Sequence, residues 1–583
     1  MKSVLTLSHV SDVYRDFLAQ VLIEQLFPTV NILIVVDTEI SLTPGPAAFG
    51  IGRVIDLIRN ASAGCMHFSV TLARRSNANP SINPNPAPNQ PKYEGFRFDR
   101  QEPDGTTNTI DLFDEIWGFG FKPDNFNGPD SNIFQPNALP LSDAELQVLT
   151  RWMNERQGGI FATGDHDYLG ASMCSRIPRV GTMRLWTNAQ GVPPINGSDR
   201  IDTNRPATPA QADITGNPAE IPFDNQSDAV PQAIEWVAWS SVWVSPLTVK
   251  RRPHPILCHP THGPINVMPD HPHEGRCFDT AINPATGIAE IELDGTYDFL
   301  GYAGDEYPLD GGVRPTPKVI AYGTTLPDPP YNHEKGDSPH KRFPMVSIYD
   351  GHQVHIGRVA VDSTWHHWMD INLTGIEAAA DKTNWEKISR YFLNLAVWLA
   401  PPRIAQKCLL FHLLESHFEY VGLQEFSPRV PLFDLGSVLK NKLKRVFGPC
   451  WVTQFVLDWI FVYDVKLHTR LIEHYLAVPE RRLPKPKPDP CLTCPPLGLL
   501  EEAVLGGMVQ QTFDVVTPIR QELGDRLDTQ KRFELDVFEK RMREGVARGL
   551  HEIARALDAS LQYTRELFVT ETLHKSEEIS LVS

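Results

Sequence analysis

The chain has 583 residues, 71 of them acidic and 54 basic, with a formal net charge of -17. That length exceeds what one hydrophobic core usually supports, so two or three domains are expected. The negative balance argues against nucleic acid as a partner, because that affinity comes mainly from Lys and Arg displacing counterions.

Hydrophobic residues make up 41% and charged residues 21% of the chain, an ordinary globular composition that excludes a disordered or fibrous one. The first ten residues hold one Lys, an interrupted apolar run and no small-residue cleavage site, so no signal peptide is expected. The most apolar later windows, residues 451–463 and 497–509, are too short to span a bilayer and carry Asp458 or Glu501 and Glu502. The eight cysteines are scattered apart from Cys491 and Cys494, which suits a reducing compartment better than a disulfide framework. A cytoplasmic location is the default expectation.

In chain order, apolar residues at helical spacing (Val13, Phe17, Leu18, Val21, Leu22, Leu26) predict a helix over 13–27, stopped by Pro28. Asn31–Asp37 is a continuous aliphatic run, the mark of a strand buried on both faces. Residues 51–58 read as a helix and 66–72 as a second strand. Residues 74–108, rich in Asn and Pro, read as an extended loop. A third strand is expected at 114–120. Ser142 and Glu145 form a capping box opening a helix through Trp152.

That helix delivers the chain to Gly158-Gly159-Ile160-Phe161-Ala162-Thr163-Gly164-Asp165-His166-Asp167, an apolar run followed by two carboxylates and an imidazole. In an open α/β sheet the turn leaving such a strand is where ligands meet the protein. Residues 187–340 lose the alternation and read as a long loop-rich insertion, its one helical period over 229–243. Strands resume at 344–349 and 355–361, joined by a hairpin signal at Asp350-Gly351-His352. A helix over 384–399 closes the domain before Pro401-Pro402. The predicted fold is a flavodoxin-like, doubly wound parallel α/β sheet over 1–403, with the insertion at about 187–340.

Beyond residue 403 the composition favours an α-helical C-terminal region, 404–583, with a Pro-rich linker at about 480–496 that contains the basic run Arg481–Lys487. Leu535, Phe538, Met542, Val546, Leu550, Ile553, Leu557 and Leu561 form one apolar stripe. It reads as the core face of a bundle helix, or alternatively as a surface that joins copies into a homo-oligomer.

The order of strands and helices, the Gly-rich turn after 158–163, and a late strand Gly357–Val361 leading to His366-His367 resemble the class I glutamine amidotransferase-like superfamily, in particular its ThuA-like branch. The resemblance covers about residues 30–400, leaving the insertion unmatched. It implies a functional residue at the turn, Asp165 or His166 here, and a His after the late strand, His366 or His367. No Cys occupies the turn, which argues against glutaminase chemistry.

Three His/acid clusters are expected on one rim: Asp165, His166 and Asp167; His271, His273 and Glu274 within Met268–Gly275; and Asp362, His366 and His367. Imidazoles with carboxylates suit a divalent Zn, Mn or Fe ion that activates water. Each cluster has a plainer explanation too. The two aspartates at the turn would serve as helix caps, the 270s histidines would sit on an exposed loop, and one late His would pack beside Trp365 or Trp368.

The sequence therefore supports two functions. One is a hydrolase of a small polar substrate, an amide, ester or carbohydrate derivative. In it His166 and His366 act as base and acid, Asp165 and Asp362 orient them, and Asp167, His271, His273 and Glu274 hold a metal. The other is a non-catalytic module that binds a small ligand, with its helical region assembling an oligomer.

Overall fold

A computed structural model describes residues 28–37, 40–45, 50–120, 141–164, 173–184, 186, 231–245, 248–269, 276–278, 291–324, 342–419, 430–475, 495–523 and 535–581. The helix expected over 13–27 lies outside them. The described chain divides into two units. One is formed by residues up to Trp239 together with Pro253–Cys408, the other by Ser240–Arg252 and residues from Leu409 onward.

The first unit is a mixed α/β structure around a mostly parallel sheet. Its principal strands are β1 (Thr29–Val36), β2 (Met66–Arg74), β3 (Glu115–Gly120), β4 (Gly159–Gly164), β5 (Lys318–Thr324), β6 (Arg342–Tyr349) and β7 (Val359–Asp362). They lie in the order β2-β1-β3-β4-β7-β6-β5. The first five in that row run parallel, β6 runs antiparallel to β7, and β5, antiparallel to β6, regains the direction of the first five. In β1 the side chains from Ile32 to Val36 are all fully buried, as a strand covered on both faces requires.

The helices supply that cover. They are α1 (Gly52–Asn60), α2 (Asp143–Glu155), α3 (Asp370–Ala378) and α4 (Thr383–Leu399). Leu33, Val35, Ile116, Ile160 and Val361 share one buried cluster with Leu146, Leu149 and Met153 of α2. The opposite face is aromatic. Trp368 packs within 4.3–5.7 Å of the rings of Phe161, Phe119 and Trp117, and within 4.7 Å of Phe392 from α4.

The capping box forms as the sequence suggests: Ser142 Oγ accepts from the Glu145 amide, and Glu145 Oε2 accepts from the Ser142 amide. Glu145 does more than cap. It receives a two-pronged ion pair from Arg75 at the end of β2 and the amide of Phe98. Arg75 and Glu145 are each only 3% exposed.

Three local expectations fail. The described part of the expected 229–243 helix, from 231 onward, is not helical; Gln232–Ala233, Glu235–Trp236 and Ala238–Ser245 are strands. Pro231 and the β-branched and aromatic residues Val237, Trp239, Val242 and Trp243 outweigh the helical spacing, and burial alternates from Gln232 to Glu235 as a strand demands. The 74–108 loop contains the short strands Ser81–Ile82 and Tyr93–Glu94 and buries Tyr93, Phe96 and Phe98. β6 and β7 do pair antiparallel as the hairpin signal suggests, but the connection is longer than a tight turn at 350–352: a 3-10 turn, Gly351–Val354, and a left-handed His355 precede β7, which starts at Val359 rather than 355.

Helix α5 (Pro402–Glu419) follows. The second unit contains α6 (Leu432–Phe447), α7 (Pro449–Tyr463), α8 (Val465–Tyr475), α9 (Leu497–Leu523) and α10 (Leu535–Leu581). Among the described residues no helix is long and apolar enough to cross a membrane. Glycines set the closest helix crossings. A Cβ on Gly506 of α9 would strike the Leu432 carbonyl of α6, and one on Gly545 or Gly549 of α10 would strike the α9 backbone at Gly507 or Ala503. On α10, Phe538, Met542, Val546 and Ile553 are buried, whereas Leu561 and Tyr563 are exposed.

The strand Thr248–Pro253 brings Arg252 to this unit's ionic centre. Glu501, fully buried, accepts from Thr453 Oγ1 at 2.6 Å and Arg252 Nη1 at 3.2 Å, and Lys440 Nζ lies 3.1 Å from its other oxygen. A carboxylate removed from water needs such compensation.

Candidate functional site

The carboxyl ends of the parallel strands carry Asp37 after β1, Arg75 after β2, Gly164 closing β4 and Asp362 closing β7. Asp362 is fully buried and fully engaged. Its Oδ1 accepts from the Thr364 amide at 3.2 Å. Its Oδ2 receives His367 Nδ1 at 2.7 Å, Trp368 Nε1 at 3.3 Å and Tyr391 Oη at 3.3 Å. A carboxylate at Nδ1 places that ring's proton there and leaves Nε2 as the basic nitrogen. Burial, and then Asp362 beside it, hold the Tyr391 phenol well above its ordinary range, so it remains a donor.

The histidine that Asp362 orients is thus His367, not the His366 expected from the sequence. His366 lies flat against Trp365, with ring centroids 3.8 Å apart, and its amide donates to Thr364 Oγ1. Residues 366–368 form a 3-10 turn, and both imidazoles are buried.

Arg184, unremarked in the sequence, is the joint of this edge. It is fully buried, and its Nη2 donates to the Gly164 carbonyl at 2.7 Å and the Ser363 carbonyl at 2.8 Å. Its guanidinium lies 4.2 Å from the Trp186 ring centre, and its backbone bridges to Cys277. Cys277 is anchored in turn on the edge: its amide donates to Pro344 and its thiol to the Met345 carbonyl. Thr163 Oγ1 donates to the Asp362 carbonyl, closing the seam between β4 and β7. No sequence motif marks Arg184.

The other expected residues, Asp165, His166, Asp167, His271, His273 and Glu274, lie outside the described residues. What is described is where their segments attach. The chain enters 165–167 from Gly164, and 270–275 ends one residue before Arg276 and two before Cys277.

No family model, curated protein or solved structure matches the chain.

The thiols at this edge are poor nucleophiles. Burial pushes Cys174 up to about 12 and drives Cys277 higher still, so both stay protonated near neutral pH. Asp370, at the N-terminus of α3, accepts the amides of Arg53 at 2.8 Å and Gly45 at 3.2 Å, yet burial outweighs those bonds and raises it to about 6. The histidines of the insertion serve locally. His254 Nδ1 accepts the Ile256 amide, His259 Nδ1 accepts the amides of Thr261 and His262, and His262 Nε2 lies 2.6 Å from Glu386. Soft donors occur away from this edge: the sulfurs of Cys65 and Cys408 lie 2.7 Å apart, and His412 follows Cys408 by one turn of α5.

Proposed function

We propose that the α/β unit is a hydrolase of a small polar substrate, an amide, ester or carbohydrate derivative, working at the carboxyl ends of β4 and β7. One observation carries this reading. The buried Arg184 ties together the residue entering the first His/acid cluster, the residue following Asp362, and Cys277, which follows the 270s cluster. Segments leading to three clusters distant in sequence thus meet at one residue, two through its guanidinium and the third through its backbone. A strand order of second-first-third-fourth-last within the parallel row is the flavodoxin-like order, and it supports the resemblance to ThuA-like, amidotransferase-like proteins.

In this reading Asp362 holds His367 in the tautomer that makes Nε2 a general base, and His166 serves as its partner acid. Arg184, a permanent cation, favours substrate oxygens that gain negative charge. A Zn, Mn or Fe ion held by Asp167, His271, His273 and Glu274 would supply a water activated for attack.

The test is hydrolysis of a panel of small esters, amides and glycosides by the full-length protein, with metal content measured on the same sample. Asp362→Asn is expected to lower kcat by about 100- to 10,000-fold, the usual worth of acid–base assistance, with near-ultraviolet dichroism unchanged. His166→Ala is expected to lower it too. Turnover that survives both changes would sink the proposal.

A second reading, a non-catalytic ligand-binding module, is favoured by the burial of both late imidazoles, His366 lying flat against Trp365. It is expected to show ligand binding that is indifferent to Asp362→Asn.

A further inference from the structure

Cys65 occupies the two-residue turn between the short strand Ser62–Ala63 and β2, where Gly64 takes a positive φ and lets the chain reverse. Cys408 lies in the second turn of α5. Both residues are fully buried, and 343 positions separate them in the chain. Their sulfurs face each other at 2.7 Å. Two thiolates sharing a tetrahedral zinc would stand about 3.8 Å apart, given Zn–S bonds of ~2.3 Å. A covalent pair stands at ~2.05 Å. The observed separation is nearer the second, and closing it needs only a small side-chain movement.

We propose that Cys65 and Cys408 are a redox-active pair that closes reversibly into a crosslink between the β2 turn and the start of α5. The oxidant is a low-molecular-weight disulfide. One cysteine thiolate attacks it and expels one small thiol. The second cysteine, losing its proton, attacks the mixed disulfide and expels the other. The cysteine pair thereby gives up two protons and two electrons, and the oxidant's S–S bond becomes two thiols. Closure pins the first turns of α5 to the sheet at its amino-terminal edge, away from the β4 and β7 ends. In a reducing compartment such a bond would be transient and regulatory rather than structural.

The experiment uses the full-length protein, reduced and then freed of reductant. Glutathione disulfide is applied both to the native state and during refolding from guanidinium chloride, which reaches the pair even if the fold shields it. Remaining thiols are alkylated in denaturant and the peptides mapped by mass. Two of the eight thiols are expected to disappear, with one crosslinked peptide joining Cys65 to Cys408, reversed by dithiothreitol. Oxidised protein is expected to melt at a higher temperature than reduced protein. Cys408→Ser is expected to abolish the crosslink, and Cys174→Ser to leave it intact. Eight alkylated thiols after both treatments, or a crosslink between other cysteines, would overturn the proposal. So would stoichiometric zinc released on thiol modification, which would make the pair metal ligands.

Discussion

Glu115 opens β3 as a fully buried carboxyl whose Oε2 accepts Trp117 Nε1 at 2.9 Å. Burial raises it well above the ordinary carboxylate range. A raised acid stabilises the native state while protonated. That contribution is complete below the unfolded value near 4.5 and is lost as pH climbs toward the folded one. Glu115→Gln keeps the shape without the titration, so its melting temperature is expected to match the wild type below about pH 4 and exceed it near neutrality. Each kcal/mol should appear as about 2–4 °C in scanning calorimetry.

Glu145 behaves oppositely. Burial would raise it, but the Arg75 guanidinium and the amides of Ser142 and Phe98 hold it low. Its stabilisation is present above its unfolded value and disappears as pH falls through the lowered one. Glu145→Gln is expected to cost about 3–5 kcal/mol at neutral pH, because it strands a buried guanidinium. Equilibrium denaturation at pH 7 measures this, and the loss should shrink in acid as the wild type surrenders the same ion pair.

At the scale of elements, the glycine crossings of α6, α9 and α10 place backbone against backbone. Gly545→Leu has no room on α10, because even a methyl there meets Gly507 and Met508 of α9. It is expected to cost at least the ~1–3 kcal/mol of overpacking, read as an earlier loss of helical signal by circular dichroism. Ser142→Ala removes one side of the capping box and should cost about 1 kcal/mol in the α/β unit.

These elements also show what could be read from residue order alone. The aliphatic run of β1 and the Ser142–Glu145 box were legible because each signal is local: a side-chain period, or a hydroxyl and a carboxylate three residues apart. The strand at 232–245 was not, because in a short window Ala, Ile and Val fit either period and only pairing decides. At the candidate site Asp362 was legible as the carboxylate closing a strand. The choice of His367 over His366 was not, since it depends on a 3-10 turn that rotates one ring toward the carboxylate and lays the other on Trp365. Arg184 and the glycine crossings were invisible for the same reason: their partners lie on other segments.

At the scale of the whole molecule, the last buried apolar residue described on α10 is Ile553, and the helix continues to Leu581, about 40 Å further at 1.5 Å per residue. If this extension joins copies of the chain, deleting residues 564–583 should lower the subunit count seen by light scattering and leave the unfolding free energy of the helical core within about 0.5 kcal/mol of wild type, as for other surface changes. An unchanged subunit count would show that the helix beyond residue 563 does not join copies.

The ion group around Glu501 joins residues made at very different times. Arg252 leaves the ribosome 249 residues before its acceptor, so the growing polypeptide holds that cation in waiting until the bundle is nearly complete. A separately expressed 409–583 fragment would lack it altogether, leaving Glu501 to Thr453 and Lys440. Such a fragment should be markedly less stable than the same helices within the intact chain. Supplying a 240–252 peptide in trans should restore part of the loss, and the effect should weaken when that peptide carries Arg252→Met.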